Sequence, residues 1–143
     1  LINKSLDFIK LSSKNTINLV IKTKSKFISG DEDQLNRVFI NLIKNSEESF
    51  LDKLQKEPNF KGNIDIEIND NNEYIIIIIK DNGTGITDAK KAMTPYFTTK
   101  KSGTGLGLPI VTKIINEHLG DFSIKNNTSK KGAKVTIMLP KYV

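Results

Sequence analysis

Apolar positions recur along the chain with two different periods, and the switch between them marks the elements. Leu35, Val38, Phe39, Leu42, Ile43 and Ser46, then Phe50, Leu51 and Leu54, follow the i, i+3, i+4, i+7 spacing of a long amphipathic helix. Asp31 or Asp33 is placed to cap it, and it must end before Pro58, whose ring removes a helical donor. Ile64, Ile66 and Ile68 alternate with Asp65 and Glu67, the mark of a strand over Asn63 to Asn69 with one wet face. The turn at Asp70-Asn71-Asn72 then leads into Tyr74 to Lys80, which reads as an interior strand forming a hairpin with it.

Elsewhere the pattern is shorter. Ile17 to Lys22 and Lys26 to Ser29 read as strands around a polar turn, and Phe122 to Lys125 and Ala133 to Leu139 as a last pair around Asn126 to Gly132. Leu106 to Leu119 returns to helical spacing, with Pro109 in its first turn and Gly120 as its stop. Leu1 to Asn15 has the spacing of a helix tail. Residues 1–16 are therefore expected to be the end of an upstream helix or a linker, in a fragment of a longer protein, and 17–143 a single domain. Asp81 to Ser102 is a long loop rich in Gly, Thr and Lys, with at most a short helix near Asp88 to Met93, and loops of that length in a small domain are functional or disordered. The order predicts an α/β (α+β) two-layer sandwich: a mixed sheet of about five strands with about three helices on one face. Five consecutive isoleucines, Ile75 to Ile79, strain that picture, because a half-wet strand should alternate.

Composition narrows the chemistry. The 143 residues include 22 basic and 16 acidic ones, a net charge of +6 that favours an anionic partner. Arg37 is the single arginine, and the wealth of lysine, Ile and Asn also fits an AT-rich genome, which weakens the charge argument. The absence of cysteine excludes disulfides, thiolate metal sites and thiol nucleophiles, and one histidine makes an all-protein zinc site improbable. The longest apolar run, Tyr74 to Ile79, is too short to span a bilayer, and the first residues have no signal-peptide pattern, so a soluble piece is expected.

Three polar clusters fall at element ends or on a helix rim. Asn41, Asn45 and Glu48 share one strip of the long helix, and their oxygens are hard ligands of the kind Mg²⁺ accepts; a solvated flank is the plainer reading. Asp81-Asn82-Gly83-Thr84-Gly85 puts a carboxylate at a strand end beside glycines that let a flat ligand approach, suited to the exocyclic amine of adenine; an ordinary Asx turn is the plainer reading. Gly103-Thr104-Gly105-Leu106-Gly107-Leu108 runs into a helix N-terminus, where backbone N–H groups and the helix dipole attract phosphate. It lacks the Gly-Lys-Ser/Thr of a Walker loop and the preceding strand of a dinucleotide fingerprint. Between the last two clusters, Pro95-Tyr96-Phe97-Thr98-Thr99-Lys100-Lys101 combines aromatic anchors, hydroxyls and cations that could fold over a triphosphate or form a solvated loop.

In order and spacing these clusters resemble the N, G1, F and G2 boxes of the sensor histidine kinase catalytic and ATP-binding domain, the Bergerat (GHKL) fold shared with gyrase, Hsp90 and MutL-type ATPases. The resemblance runs from about Ile17 to Leu139, and the segment from Pro95 to Leu108 is similar to nitrogen-regulation sensor kinases. It implies an ATP and Mg²⁺ site in which Asn45 binds the metal and Asn41 contacts the phosphates and metal region. Hydrolytic relatives have a water-activating glutamate at the Asn41 position, and an amide is a poor base, which favours phosphoryl transfer. Asp81 would read adenine, Gly83 and Gly85 with Ile86 would shape the base pocket, and Gly103, Thr104, Gly105, Leu106, Gly107 and Leu108 would form the phosphate loop. Lys100, beside Thr99, would be a lid cation and counts with Asn41 and Asn45 as catalytic.

The chain departs from the family pattern at several positions. Ser46 and Ser49 replace common alanines, a change expected to alter packing only. Ala133 stands where many relatives have Thr, and Leu119 breaks a frequent His-Gly-Gly. His118, at a helix C-terminus where the dipole favours imidazolium, is expected to be structural rather than the phospho-acceptor. The family's acceptor motif is absent. The resemblance therefore implies, as partners, the protein's own dimerisation and phospho-acceptor domain and a response regulator receiver domain, within a homodimeric parent. Nucleic acid and direct membrane contact are not expected, and the location is expected to be cytoplasmic. The alternatives are an ATPase or serine kinase of the same fold, or a non-catalytic nucleotide-binding module.

Overall fold

The computed structural model of the chain describes residues 16–21, 32–85, 107–126 and 132–141. In chain order the elements are β1 (Thr16–Ile21), α1 (Glu32–Lys56), β2 (Asn63–Asp70), β3 (Tyr74–Asp81), α2 (Gly107–Glu117), β4 (Asp121–Asn126) and β5 (Ala133–Pro140). The expected strand at Lys26 to Ser29, the N-terminal helix and the short helix near Asp88 to Met93 lie outside the described residues. Among the described residues, two helices and five strands build the α/β sandwich that the periodicity predicts.

The sheet order is β1-β2-β3-β5-β4. β1 runs parallel to β2, Ile17 opposite Ile64 and Ile21 opposite Ile68, and the connection between them carries α1, as a parallel pair requires. The other neighbours are antiparallel: β2 with β3, β3 with β5, and β5 with β4. Strand side chains alternate across the sheet, so register puts Ile64, Ile66 and Ile68, Ile75, Ile77 and Ile79, and Val135, Ile137 and Leu139 on one face. Both helices contribute to the same core, α1 through Leu35, Val38, Phe39, Leu42, Ile43 and Phe50, and α2 through Leu108, Val111, Ile114 and Ile115.

The isoleucine run resolves by register. Ile75, Ile77 and Ile79 enter the core, while Ile76 and Ile78 point to the opposite face and are half-buried. There Ile78 lies between Glu67 and Thr136, and Ile76 between Asn69 and Met138, so central position in the sheet shields both from the sides.

Helix α1 begins at Glu32, so of the two expected caps Asp33 sits within its first turn, where a carboxylate suits the dipole, and Asp31 lies outside the described residues. Two other signals behave differently from expectation. Leu51 is 57% exposed: one residue past Phe50 is 100° around the helix, and the stripe closes on Ser46, Ser49 and Phe50 instead. At the end of α2 the left-handed residue is Leu119, with φ of 59°, rather than Gly120. The N–H of Gly120 bonds the carbonyl of Ile115 and that of Leu119 bonds Asn116, a Schellman closure. Glycine at 120 answers a packing demand, because a Cβ there would collide with the Met138 carbonyl of β5.

Candidate functional site

Helix α1 and the end of β3 meet through hydrogen bonds rather than through apolar contact alone. Asp81, the last residue of β3, faces the helix layer because Ile75, Ile77 and Ile79 do, and it is only 6% exposed. A buried carboxylate needs donors. The Ser46 hydroxyl of α1 donates to Oδ2 at 2.8 Å, and the backbone N–H groups of Gly83 and Ala133 donate to Oδ1 at 3.0 and 3.1 Å. The Gly83 bond is the Asx-turn bond that the Asp-Asn-Gly sequence suggests, so the plain turn and a prepared carboxylate are one structure here.

The rest of the loop is tied down at both ends. One turn along α1 from Ser46, the Ser49 hydroxyl accepts the Thr84 N–H at 2.7 Å and lies 3.0 Å from the Thr84 hydroxyl. Asn82 turns the other way: its Oδ1 accepts the Asn63 N–H at 2.7 Å and its Nδ2 donates to the Lys61 carbonyl at 3.0 Å, which anchors the loop to the start of β2. Lys53 donates to the Asn82 carbonyl at 3.0 Å while its ammonium lies 4.6 Å from the centre of the Phe60 ring. Side chains are excluded at two glycines. A Cβ at Gly83 would strike Ser49 Oγ, and at Gly132, with φ of 137°, it would strike the Asp81 carbonyl.

Ser46 and Ser49 therefore do more than alter packing. Their hydroxyls face a strand-end carboxylate and its loop, and hydrogen-bond to them. This role depends on which element packs opposite, which an alanine-to-serine comparison in sequence does not report. Ala133 retains a link to Asp81 through its main chain. His118 is structural as expected: its Nδ1 lies 2.8 Å from the Ile114 carbonyl, an interaction in which the ring nitrogen donates.

Asn41 and Asn45 lie one turn apart on α1, both partly buried, and Asn45 precedes Ser46. The Nδ2 of Asn41 is buried, with no hydrogen-bond partner among the described residues. Such a donor is costly to leave unmade, and an oxyanion in front of it would satisfy it. Gly85 adopts φ of 81°, the left-handed conformation that glycine tolerates. Of the glycine-rich segment, Gly107 opens α2, and Leu108 turns its side chain into the core at 8% exposure, packing the helix start. Ile86, Thr99, Lys100, Gly103, Thr104, Gly105 and Leu106 lie outside the described residues. The helix that carries the first cluster is thus bonded to the second through Ser46, a neighbour of Asn45, and Asp81. Among the described residues no group of three or more His, Cys, Asp or Glu could hold a metal ion, and no helix is long and apolar enough to cross a membrane.

Comparison with known proteins identifies the family and the fold. Residues 30–143 match the family model described as histidine kinase-, DNA gyrase B-, and HSP90-like ATPase. The chain is 37% identical over 142 residues to sporulation kinase B of Bacillus subtilis, covering 96% of this chain and 31% of that protein. It is 38% identical over 109 residues to a putative sensor histidine kinase, NtrY-like, of Rickettsia conorii, covering 75% of this chain and 17% of that protein. The chain thus spans less than a third of the length of either relative. The catalytic domain of histidine kinase ThkA in a nucleotide-free form shares the fold, with a TM-score of 0.79 at 24% identity, covering 98% of this chain and 90% of that one. The match over residues 30–143 shows that the chain belongs to the histidine kinase-, DNA gyrase B- and HSP90-like ATPase family, and within it the chain is similar to the catalytic domains of sensor histidine kinases.

Proposed function

We propose that this domain binds ATP with Mg²⁺ and delivers the γ-phosphate to a histidine on a separate dimerisation domain of the same protein. The observation that carries the reading is the Ser46–Asp81 hydrogen bond, which fastens the candidate base-reading carboxylate to the helix that bears Asn41 and Asn45. Asp81 accepts the exocyclic amine of adenine. Asn41 donates its Nδ2, which has no partner among the described residues, to a phosphate oxygen. Asn45 offers an amide oxygen to Mg²⁺, which binds few protein ligands and draws the others from phosphates and water. The bound ion supplies neutralisation of phosphate charge. Gly83 and Gly85 border the base, and Lys100 with the Gly103 to Leu108 segment is assigned to the phosphates by family resemblance.

Transfer needs position more than chemistry from the protein. A neutral imidazole nitrogen of the acceptor forms the N–P bond as the Pγ–O bond to the leaving ADP breaks, and the proton on the other ring nitrogen passes to solvent. An amide at Asn41 is too weak a base to activate water, which directs the phosphoryl group to the imidazole instead of to hydrolysis. The only histidine of this chain, His118, is occupied at a helix end, so the acceptor comes from outside it. The phosphohistidine then supplies a response regulator receiver domain, and the parent protein works as a homodimer with this domain in the cytoplasm.

The test is transfer of labelled γ-phosphate to a separately expressed dimerisation and acceptor domain. The wild-type chain should label it, and Asn45→Ala should slow labelling by roughly a hundredfold, the scale of losing one electrostatic group at a charged transition state. Full-rate transfer by Asn45→Ala would remove the metal role, and no transfer by the wild type would remove the kinase reading.

A further inference from the structure

The face of the sheet away from the helices is organised in rows. Register sets Asp65 of β2, Lys80 of β3, Lys134 of β5 and Lys125 of β4 side by side across four strands. Asp65 faces Lys80, but Lys134 stands between two lysines, and Lys125 faces only Lys134 because β4 ends the sheet. Like charges placed directly opposite one another destabilise a sheet, so the row costs the fold unless counter-charge is brought to it. In the next row Ile78 lies beside Thr136, and in the one after that Ile76 lies beside Met138. Ile76, Ile78 and Met138 are each half-buried, which leaves apolar surface next to the cations. Neither described helix covers this face, since α1 and α2 both pack on the other one.

We propose that this face is a docking surface for an acidic amphipathic helix of a partner protein, laid across the strands with its carboxylates on the lysine row and its apolar stripe on Ile76, Ile78 and Met138. Neighbouring strands are about 4.8 Å apart, so the three lysine positions span roughly 10 Å. Residues at i and i+4 of a helix lie about 5–6 Å apart, a repeat that flexible lysine stems can follow along the row. A helix also carries its backbone hydrogen bonds within itself, so it can cross the strands without pairing to them. A phosphodiester backbone would bring the charge but leave the apolar rows uncovered. Asp81 faces the opposite layer, so the proposal does not depend on the nucleotide reading.

NMR titration of the isotope-labelled 143-residue chain with a synthetic peptide tests the proposal. The probe is an end-capped helix former with Glu at every fourth position and Leu on the adjoining stripe. A version with Gln in place of Glu and an oligothymidylate are the comparisons. The Glu peptide should shift the amides of Lys80, Lys125 and Lys134, bind about tenfold more tightly than the Gln peptide, and lose most of that margin in high salt. Lys134→Glu should weaken the Glu peptide about tenfold, whereas Lys113→Glu, on the exposed side of α2, should leave it within about twofold, although both change the net charge equally. Because Lys134→Glu removes like-charge contacts it should not unfold the chain, which far-UV circular dichroism checks. No binding of the Glu peptide overturns the proposal, and so does equal weakening by the two variants, which would mark general attraction to a positive molecule. Tighter binding of oligothymidylate than of the Glu peptide overturns it in favour of a phosphate reader. Self-association that covers the row before peptide is added overturns it in favour of a second copy of this chain.

Discussion

Leu119 holds a backbone conformation that costs an L-residue about 1–2 kcal/mol, and its side chain is 81% exposed, so it recovers little by packing. Leu119→Gly should relieve that strain. After the added unfolded-state freedom of glycine is deducted, a net gain of about 0.5–1 kcal/mol is expected in urea unfolding. Glu47 is a second local liability. Burial pushes its carboxyl above the ordinary range, with Lys44 partly opposing. A raised folded-state pKa means that the folded chain favours the protonated acid. The resulting stability is present below the ordinary carboxylate range and is lost as pH rises through the folded value. Glu47→Gln should therefore raise the melting temperature at neutral pH and change it little at about pH 4, where the wild-type acid is largely protonated. Residue type alone announced neither effect: the strain at Leu119 comes from the Schellman closure, and the shift at Glu47 from its burial.

At the scale of elements, the face of the sheet away from the helices carries a row of like charges. Lys80 of β3, Lys134 of β5 and Lys125 of β4 stand directly opposite one another across neighbouring strands. Directly opposed like charges destabilise a sheet by about 0.2–1 kcal/mol per pair. Lys134→Glu, which turns two repulsive pairs into attractive ones, should stabilise the fold by that order, and the gain should shrink in high salt, measured by denaturant unfolding at low and high ionic strength. Strands were legible from the apolar pattern, β2 by alternation with Ile64, Ile66 and Ile68 inward and β3 as an unbroken apolar run. The row of lysines was not, because adjacency of β3 and β5 joins residues more than fifty positions apart. Helix α1 shows the same limit: its period predicted the stripe through Phe50, but whether Leu51 or Ser49 faced inward depended on the element opposite.

At the scale of the molecule, the site links layers, since Asp81 ends a strand, Ser46 lies on a helix and Ala133 starts another strand. A ligand that contacts several elements at once binds the folded chain and not the unfolded one, so it must stabilise the whole. ADP at about a hundred times its dissociation constant should add roughly 2.7 kcal/mol, seen as a rise in melting temperature, and Asp81→Asn should remove most of that rise at the same concentration. Sequence by itself determined the two periods, hence the elements, the two-layer class and the chemical types of the polar clusters, because these are properties of neighbours along the chain. Tertiary structure alone decided that β1 lies parallel beside β2, that Ile76 and Ile78 are shielded by flanking strands, and that a serine one residue after Asn45 grips the Asp81 carboxylate. Those outcomes depend on which distant residues share a surface, and hydrogen bonds and burial respond to distance in space.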